Sequence, residues 1–146
     1  MKKISLIIPI FNCTEFLDDC FSSIINQNFP INYPIIKDET AIERSFGQGE
    51  GVPITEENYN KIMNCEFKDQ ESEVEIINRA QTFINKLLNT YKGKNILVVT
   101  HSHFLKGCFK PFLPELRFDT KTVNAGLSRL IFDENNLCIN ATLIMK

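Results

Sequence analysis

The chain has 146 residues, of which 43% are hydrophobic and 23% charged, a size and composition typical of one globular domain and not of a disordered or fibrous protein. Its 16 lysines and arginines against 18 aspartates and glutamates give a net charge of -2, without the basic excess that nucleic acid or an anionic membrane would require. No apolar run approaches the ~20 residues of a membrane span, and no secretory signal is recognisable after Lys2 and Lys3.

The number of cysteines, five, is odd, and no Cys-x-x-Cys pair occurs. Free thiols in a reducing compartment explain this pattern better than disulfides. We therefore expect a single cytoplasmic domain over residues 1–146 that binds neither nucleic acid nor membrane.

The residue pattern of the first half of the chain predicts two strands, one helix and a long loop. Lys3–Ile10 is an apolar run typical of a buried strand. Phe16–Ile25 has apolar residues at three- and four-residue spacing, which predicts an amphipathic helix with its apolar face in the core. Tyr33–Lys37 favours a short strand, and Asp38–Ile54 is a glycine-rich segment with the composition of a functional loop.

The second half begins with helices. A short helix is predicted near Tyr59–Met63. A longer one starts at the N-cap Ser72, with Glu75 completing a capping box, and ends at Gly93. Its predicted buried stripe consists of Val74, Ile77, Ala80, Ile84, Leu87, Leu88 and Tyr91.

The β-branched run Asn95–Thr100 predicts a strand covered on both faces. Ser102–Phe109 predicts a helix, and Val123–Asp133 with Leu137–Ile144 predicts two further strands. Strands alternating with helices indicate an α/β fold, for which we expect three layers: a mainly parallel sheet with helices on both faces.

The chain contains only two histidines, His101 and His103, and both follow a predicted strand. Ligands of such sheets bind at the carboxyl ends of strands, where the N–H groups of a helix start favour an anion such as phosphate. An imidazole there can attack phosphorus, transfer a proton or stabilise an oxyanion, although a capping histidine without a role fits equally well. No cysteine or carboxylate is spaced to complete a metal site with the His-x-His pair, so we predict no metal.

A second candidate site is the segment from Glu43 to Gly51. Glu43 is suited to act as a general acid and Arg44 to hold a phosphate oxygen, while the glycines let the backbone approach a ligand. On these residues alone, an ordinary surface loop with an ion pair is the simpler interpretation.

Four segments in chain order carry a family resemblance: Ile42–Gly47 with Glu50 and Gly51, Gln70–Ser72 before the helix containing Arg79, Leu97–His101, and Val123–Ala125. They resemble the acid-bearing loop, the Gly-Glu-Ser helix start, the strand of the second catalytic histidine and the late Asn-Ala strand start of the histidine phosphatase (phosphoglycerate mutase-like) superfamily. The resemblance covers about residues 33–145 and implies a truncated phosphoglycerate mutase-like fold.

The resemblance also implies a site for phosphoryl transfer without a cofactor, whose ligand is a small phosphorylated metabolite or phosphate. In this family a first histidine, within an Arg-His-Gly motif, becomes phosphorylated. A second histidine and arginines bind the transferring group, and a glutamate protonates the leaving oxygen. By motif, Glu43 and His101 are the predicted catalytic residues, and we expect Arg44, Ser102 and His103 to bind the substrate.

The sequence departs from the family where the nucleophile belongs. No Arg-His-Gly motif occurs, and no arginine precedes Arg44. Ser102 and His103 stand where family members usually have glycines. Because a transferring phosphoryl group is stabilised almost wholly by positioned cations, we expect impaired catalysis.

Residues 1–29 resemble instead the opening of a family 2 glycosyltransferase, through Ser5–Asn12, Phe16-Leu17 and Gln27–Phe29. A sugar-nucleotide enzyme also needs an Asp-x-Asp metal site, and this chain contains no Asp-x-Asp. We interpret residues 1–32 as an atypical strand and helix of the single domain, or as a fusion remnant.

Three interpretations of function follow. The chain is a weak phosphatase with His101 or His103 as nucleophile, a phosphate-binding pseudoenzyme, or a fragment of a glycosyltransferase or sugar-pathway fusion protein. An exposed edge at the first strand or helix would favour a homodimer.

Overall fold

The computed structural model describes residues 4–7, 22, 35–123 and 126–145. Within this part of the chain, a parallel sheet has the order β2-β1-β3, where β1 is Ile4–Ile7, β2 is Ile35–Ile36 and β3 is Asn95–Val98. In the central strand, Leu6 pairs with Ile35 on one side and Leu97 on the other. This parallel pairing of strands that are distant in sequence confirms the predicted α/β fold class.

Strand β3 ends earlier than the predicted Asn95–Thr100. β1 lies inside the predicted Lys3–Ile10, whereas the helix predicted at Phe16–Ile25 lies outside the described residues apart from Ser22, which is helical. In β3, burial alternates along the strand, and Leu97 is 39% exposed. The prediction that this strand is covered on both faces is therefore wrong for Leu97, since the residues on the other face, Ile96 and Val98, are the ones that pack against the core.

Two helices lie between β2 and β3. Helix α1 spans Glu56–Met63, longer than predicted, and Thr55 caps it by accepting a hydrogen bond from the N–H of Asn58. Helix α2 spans Glu73–Thr90. Its predicted capping box is confirmed: the Ser72 hydroxyl accepts the N–H of Glu75 at 3.2 Å, and the Glu75 carboxylate accepts the N–H of Ser72 at 2.7 Å.

The buried face of α2 differs in part from the predicted stripe. Val74 is 66% exposed, so its predicted burial is wrong. Two residues further on, Ile76 is fully buried, and two residues correspond to about 200° around a helix. The inward face consists of Ile76, Ala80, Phe83, Ile84 and Leu87.

Helix α3 spans Ser102–Phe109, as predicted, and packs closely against α2. A Cβ atom at Gly107 would lie 3.1 Å from the Cβ of Ala80, so only glycine permits this approach without a shift. The rings of Phe83 and Phe104 meet edge to face with centroids 5.5 Å apart. The core therefore lies between these two helices and one face of the sheet.

The last two strands, β4 (Arg129–Phe132) and β5 (Cys138–Thr142), pair antiparallel in a sheet of their own among the described residues. They lie inside the predicted strands, and Asn136 adopts a positive φ of 63° in the turn between them. The described residues therefore form two separate sheets and not one continuous, mainly parallel sheet. Coverage of the parallel sheet by helices on both faces remains a prediction.

Among the described cysteines, Cys65, Cys108 and Cys138 are free thiols. In the part of the chain that the structure covers, no helix is both long and apolar enough to cross a bilayer. The same residues include no group of three or more His, Cys, Asp and Glu side chains arranged to hold a metal ion.

Candidate active site

The loop after β2 brings the predicted acid to the start of α3. This loop contains two short 3-10 turns, Glu39–Ala41 and Gly47–Gly49. The Thr100 hydroxyl, just beyond β3, donates a 2.7 Å hydrogen bond to the carbonyl of Ala41. This contact ties the loop to the carboxyl end of β3, so the two candidate segments lie at the same edge of the sheet.

The Glu43 carboxylate lies on the first turn of α3. Its Oε1 atom accepts the backbone N–H groups of Arg44 at 2.9 Å, His103 at 3.0 Å and Phe104 at 3.2 Å. Its Oε2 atom is 3.8 Å from Nδ1 of His103. Glu43 thereby occupies the place where a helix N-terminus favours an anion.

These donors determine the protonation state of Glu43. Burial alone would raise the pKa of this carboxyl, but the His103 side chain and the N–H groups of Arg44 and His103 together lower the pKa to about 2. Glu43 is therefore ionised at neutral pH, and in this geometry it accepts hydrogen bonds and carries no proton to donate. The acid role predicted for it needs a bound anion nearby to raise that pKa.

His103 is built into the site between two aromatic rings. The Phe118 ring stacks on it with centroids 6.0 Å apart, and the Phe46 ring meets it edge-on at 5.5 Å. Its Nε2 atom is shielded from solvent and has no hydrogen-bond partner among the described residues. Packing against both rings thus holds His103 in place.

His101 and Ser102 form the start of α3. His101 is the N-cap residue and is half-buried, and its Nε2 atom also lacks a partner in the described part of the chain. The Ser102 hydroxyl is 2.9 Å from that of Thr122, which connects α3 to the segment before β4. The structure thus places all three predicted residues of this segment, His101 to His103, on the helix start that holds Glu43.

Arg44 points into the protein interior and is only 1% exposed. Its Nε atom donates to the carbonyl of Glu71 at 2.7 Å, and its Cζ lies 6.0 Å from the Phe118 ring centroid. Neither terminal nitrogen, Nη1 nor Nη2, has a partner among the described residues. Burying a guanidinium whose terminal N–H groups have no partner costs free energy unless an anion or water reaches them.

Lys106 is a further cation that the sequence analysis missed. It is 3% exposed, and its Nζ donates to the carbonyl of Phe118 at 2.5 Å. Burial lowers its pKa; the charge of Glu43 opposes this shift and that of Arg44 adds to it. The available signal was a single charged residue within the otherwise apolar run Phe104–Phe109.

The comparisons with known proteins point to the same family as the motifs do. The sequence model of the histidine phosphatase superfamily (branch 1) matches residues 23–142. The chain is 30% identical over 116 residues to a curated relative, the uncharacterized phosphatase PhoE of Bacillus subtilis (strain 168). That match covers 77% of this chain and 58% of PhoE, so the chain spans little more than half the length of this relative.

The fold agrees as well. The solved structure of Bacillus stearothermophilus YhfR superposes with a TM-score of 0.70 over 94% of this chain and 72% of its own, at 14% sequence identity. The family match begins at residue 23, so the segment that resembles a glycosyltransferase lies mostly outside it. By its sequence match over most of its length, this chain belongs to the histidine phosphatase superfamily.

Proposed function

We propose that this protein binds phosphate or a small phosphate monoester at the start of α3 and turns it over poorly. The observation that carries the proposal is a set of shielded nitrogens without partners in the described structure: Nη1 and Nη2 of Arg44, Nε2 of His101 and Nε2 of His103. Phosphate oxygens accept hydrogen bonds from guanidinium N–H groups and from imidazole nitrogens that carry a proton, and an anion beside a buried guanidinium is weakly screened by water.

Two features support poor turnover. The sequence contains no Arg-His-Gly motif for a phosphorylated histidine. The carboxylate at the acid position, Glu43, has its pKa lowered to about 2, so little of it carries a proton at neutral pH. In the free protein, attack on phosphorus therefore lacks its usual histidine, and protonation of the leaving oxygen lacks the proton that Glu43 would supply.

One observation favours a residual activity. Glu43 Oε2 faces Nδ1 of His103 at 3.8 Å, while Nε2 of His103 has no partner among the described residues. A histidine with a carboxylate near one ring nitrogen and no partner at the other is an arrangement from which a base or nucleophile acts. A weak phosphatase that uses His103 or His101 is therefore the second candidate.

The test measures binding and turnover side by side. Thermal unfolding is followed as inorganic phosphate is added at constant ionic strength, and hydrolysis of p-nitrophenyl phosphate is assayed on the same preparation. We expect saturable stabilisation, about 2.7 kcal/mol when phosphate reaches 100 times its Kd, with little hydrolysis. His101→Ala should weaken the stabilisation, whereas Arg117→Gln, which removes an exposed arginine paired with Asp119, should leave it unchanged.

Other outcomes separate the candidates. Hydrolysis that is lost in both His101→Ala and Glu43→Gln would favour the weak phosphatase. Stabilisation by a nucleotide-sugar with manganese, and none by phosphate, would contradict the proposal and favour the glycosyltransferase fragment.

A further inference from the structure

Arg79 of α2 pairs with a carboxylate and also donates to three backbone carbonyls of the loop that carries Glu43. Its Nη1 atom donates to the carbonyls of Thr40 at 2.8 Å and Ile42 at 3.0 Å, and its Nη2 atom donates to the carbonyl of Glu43 at 3.3 Å. One half-buried guanidinium thus holds three backbone carbonyls of the segment directly before and at the predicted acid.

The ion-pair partner of Arg79 holds the other side of the same loop. Both oxygens of Glu71 accept from Arg79, Oε1 at 2.8 Å and Oε2 at 2.7 Å. Oε2 also accepts the N–H of Ser45 at 3.2 Å, and the Glu71 carbonyl accepts Nε of Arg44 at 2.7 Å. Arg79 and Glu71 together therefore hold Arg44 and Ser45 as well as Glu43.

Arg79 also contacts the helix on which Glu43 lies. Its guanidinium is stacked over the ring of Phe104, with Cζ 4.9 Å from the centroid. Phe104 is fully buried and supplies one of the N–H groups that hold the Glu43 carboxylate. Arg79 thus connects the loop that carries the carboxylate with the helix turn that receives it.

We infer that Arg79 is the positioning residue of this site: together with Glu71, it sets the loop conformation that places the Glu43 carboxylate at the start of α3 and turns the Arg44 guanidinium inward towards Phe118. It does so through backbone carbonyls, without offering a donor of its own to a ligand. The expected effect on phosphate binding rests on the proposed function. The effect on the conformation of the loop does not depend on any ligand.

The variant Arg79→Lys tests the inference, because lysine keeps the charge but cannot serve three carbonyls, a carboxylate and a ring face with one nitrogen. Two quantities are measured: the Kd for inorganic phosphate by calorimetry, and the backbone amide shifts and hydrogen exchange of His103 and Phe104 by NMR. Because charged hydrogen bonds are lost, we expect the Kd for phosphate to rise by about tenfold to a hundredfold. Faster exchange at both amides should accompany it.

The matched control is Lys86→Gln. Lys86 belongs to the same helix and contacts the same loop through a 2.7 Å ion pair with Asp38, but it does not reach the carbonyls of Ile42 or Glu43. This variant should retain wild-type phosphate affinity and amide exchange. If Arg79→Lys does not fold, Glu71→Gln removes the anionic half of the pair and should cause a smaller loss of the same kind.

Three results would overturn the inference. One is a Lys86→Gln variant that loses as much as Arg79→Lys, since general loosening of the loop would then explain both. The others are unchanged amide exchange in Arg79→Lys, and unchanged phosphate affinity despite altered exchange. If the wild type does not bind phosphate, the proposed function fails, while the amide exchange of Arg79→Lys still decides whether Arg79 positions Glu43.

Discussion

Glu43 is the residue on which the electrostatics of the site depend. Arg44, Lys106 and His103 lie around it, and the first two are almost fully buried. Removing the carboxylate charge would leave two buried cations less compensated and the first N–H groups of α3 with a weaker, neutral acceptor. Glu43 therefore stabilises the folded protein, whatever it does in chemistry.

This role predicts a stability difference that depends on pH. Glu43→Gln should lower the free energy of unfolding at pH 7 by about 1–3 kcal/mol. The pKa is depressed in the folded state, from an ordinary 4.5 to about 2, so the contribution is complete above pH 4.5 and is lost as the pH falls towards 2. Urea denaturation of both proteins at several pH values should therefore show the difference narrowing below pH 4.5.

Glu57→Gln is the control, because Glu57 is exposed and, within the described part of the chain, pairs only with Lys61 one helical turn away. Its effect should be small throughout the pH range. A Glu43→Gln effect that stays constant down to pH 2 would show that ionisation of this carboxylate is not what stabilises the fold.

At the scale of elements, the loop Asp38–Ile54 is shaped by its glycines. Gly47 has a φ of +54°, and an added Cβ would clash with the backbone of Lys68, Asp69 and Gln70. The N–H of Gln48 donates to the carbonyl of Lys68 across the same contact. This close approach keeps the loop against the start of α2, where Glu71 lies.

Two glycine substitutions separate backbone strain from collision. Gly47→Ala should cost several kcal/mol, because strain in the left-handed region adds to the clash with backbone atoms. Gly51→Ala has a similar φ of +73° but open space around it, so it should cost only about 1 kcal/mol. Thermal unfolding of the two variants measures this difference, and equal losses would argue against the tight contact at Gly47.

The capping box of α2 gives a second prediction at this scale. Ser72→Ala removes the hydroxyl that accepts the Glu75 N–H, and it should cost about 1 kcal/mol in chemical denaturation. Thr82→Ala, in the exposed middle of the same helix, should be neutral or stabilising, since alanine has the higher helix propensity. A Ser72→Ala variant as stable as Thr82→Ala would show that other contacts hold the helix start.

At the scale of the whole molecule, the two packed helices form the core on which the site is mounted. Cys108 lies within this core, 7% exposed, and burial raises the pKa of its thiol to about 12. Its thiolate is therefore scarce in the folded state, and reagents reach it only when the α2–α3 contact opens.

This placement predicts selective protection of one cysteine. In native protein at pH 8, iodoacetamide should modify Cys138, on the β4–β5 hairpin, much faster than Cys108. In denaturant the two rates should converge. Mass spectrometry of the digested protein measures each site separately, and similar native rates would contradict the buried position of Cys108.

Much of the architecture was predictable, because it depends on short-range patterns. Spacing and capping residues predicted α2 and α3 nearly to their ends, and the apolar run before His101 predicted β3. The buried stripe of α2 was only partly right, since Val74 and Ile76 are both apolar and only the position of α3 decides which of them turns inward.

By itself, then, the sequence determined the α/β class, the capped helices and the family, since these follow from local spacing and from the order of motifs along the chain. Only the tertiary structure decided that Glu43 lies on the N–H groups of α3, that Arg44 turns inward towards Phe118, and that Arg79 holds the loop. Each of these contacts joins segments far apart in sequence. Their partners are chosen by packing and by the cost of burying charge, which no local pattern records.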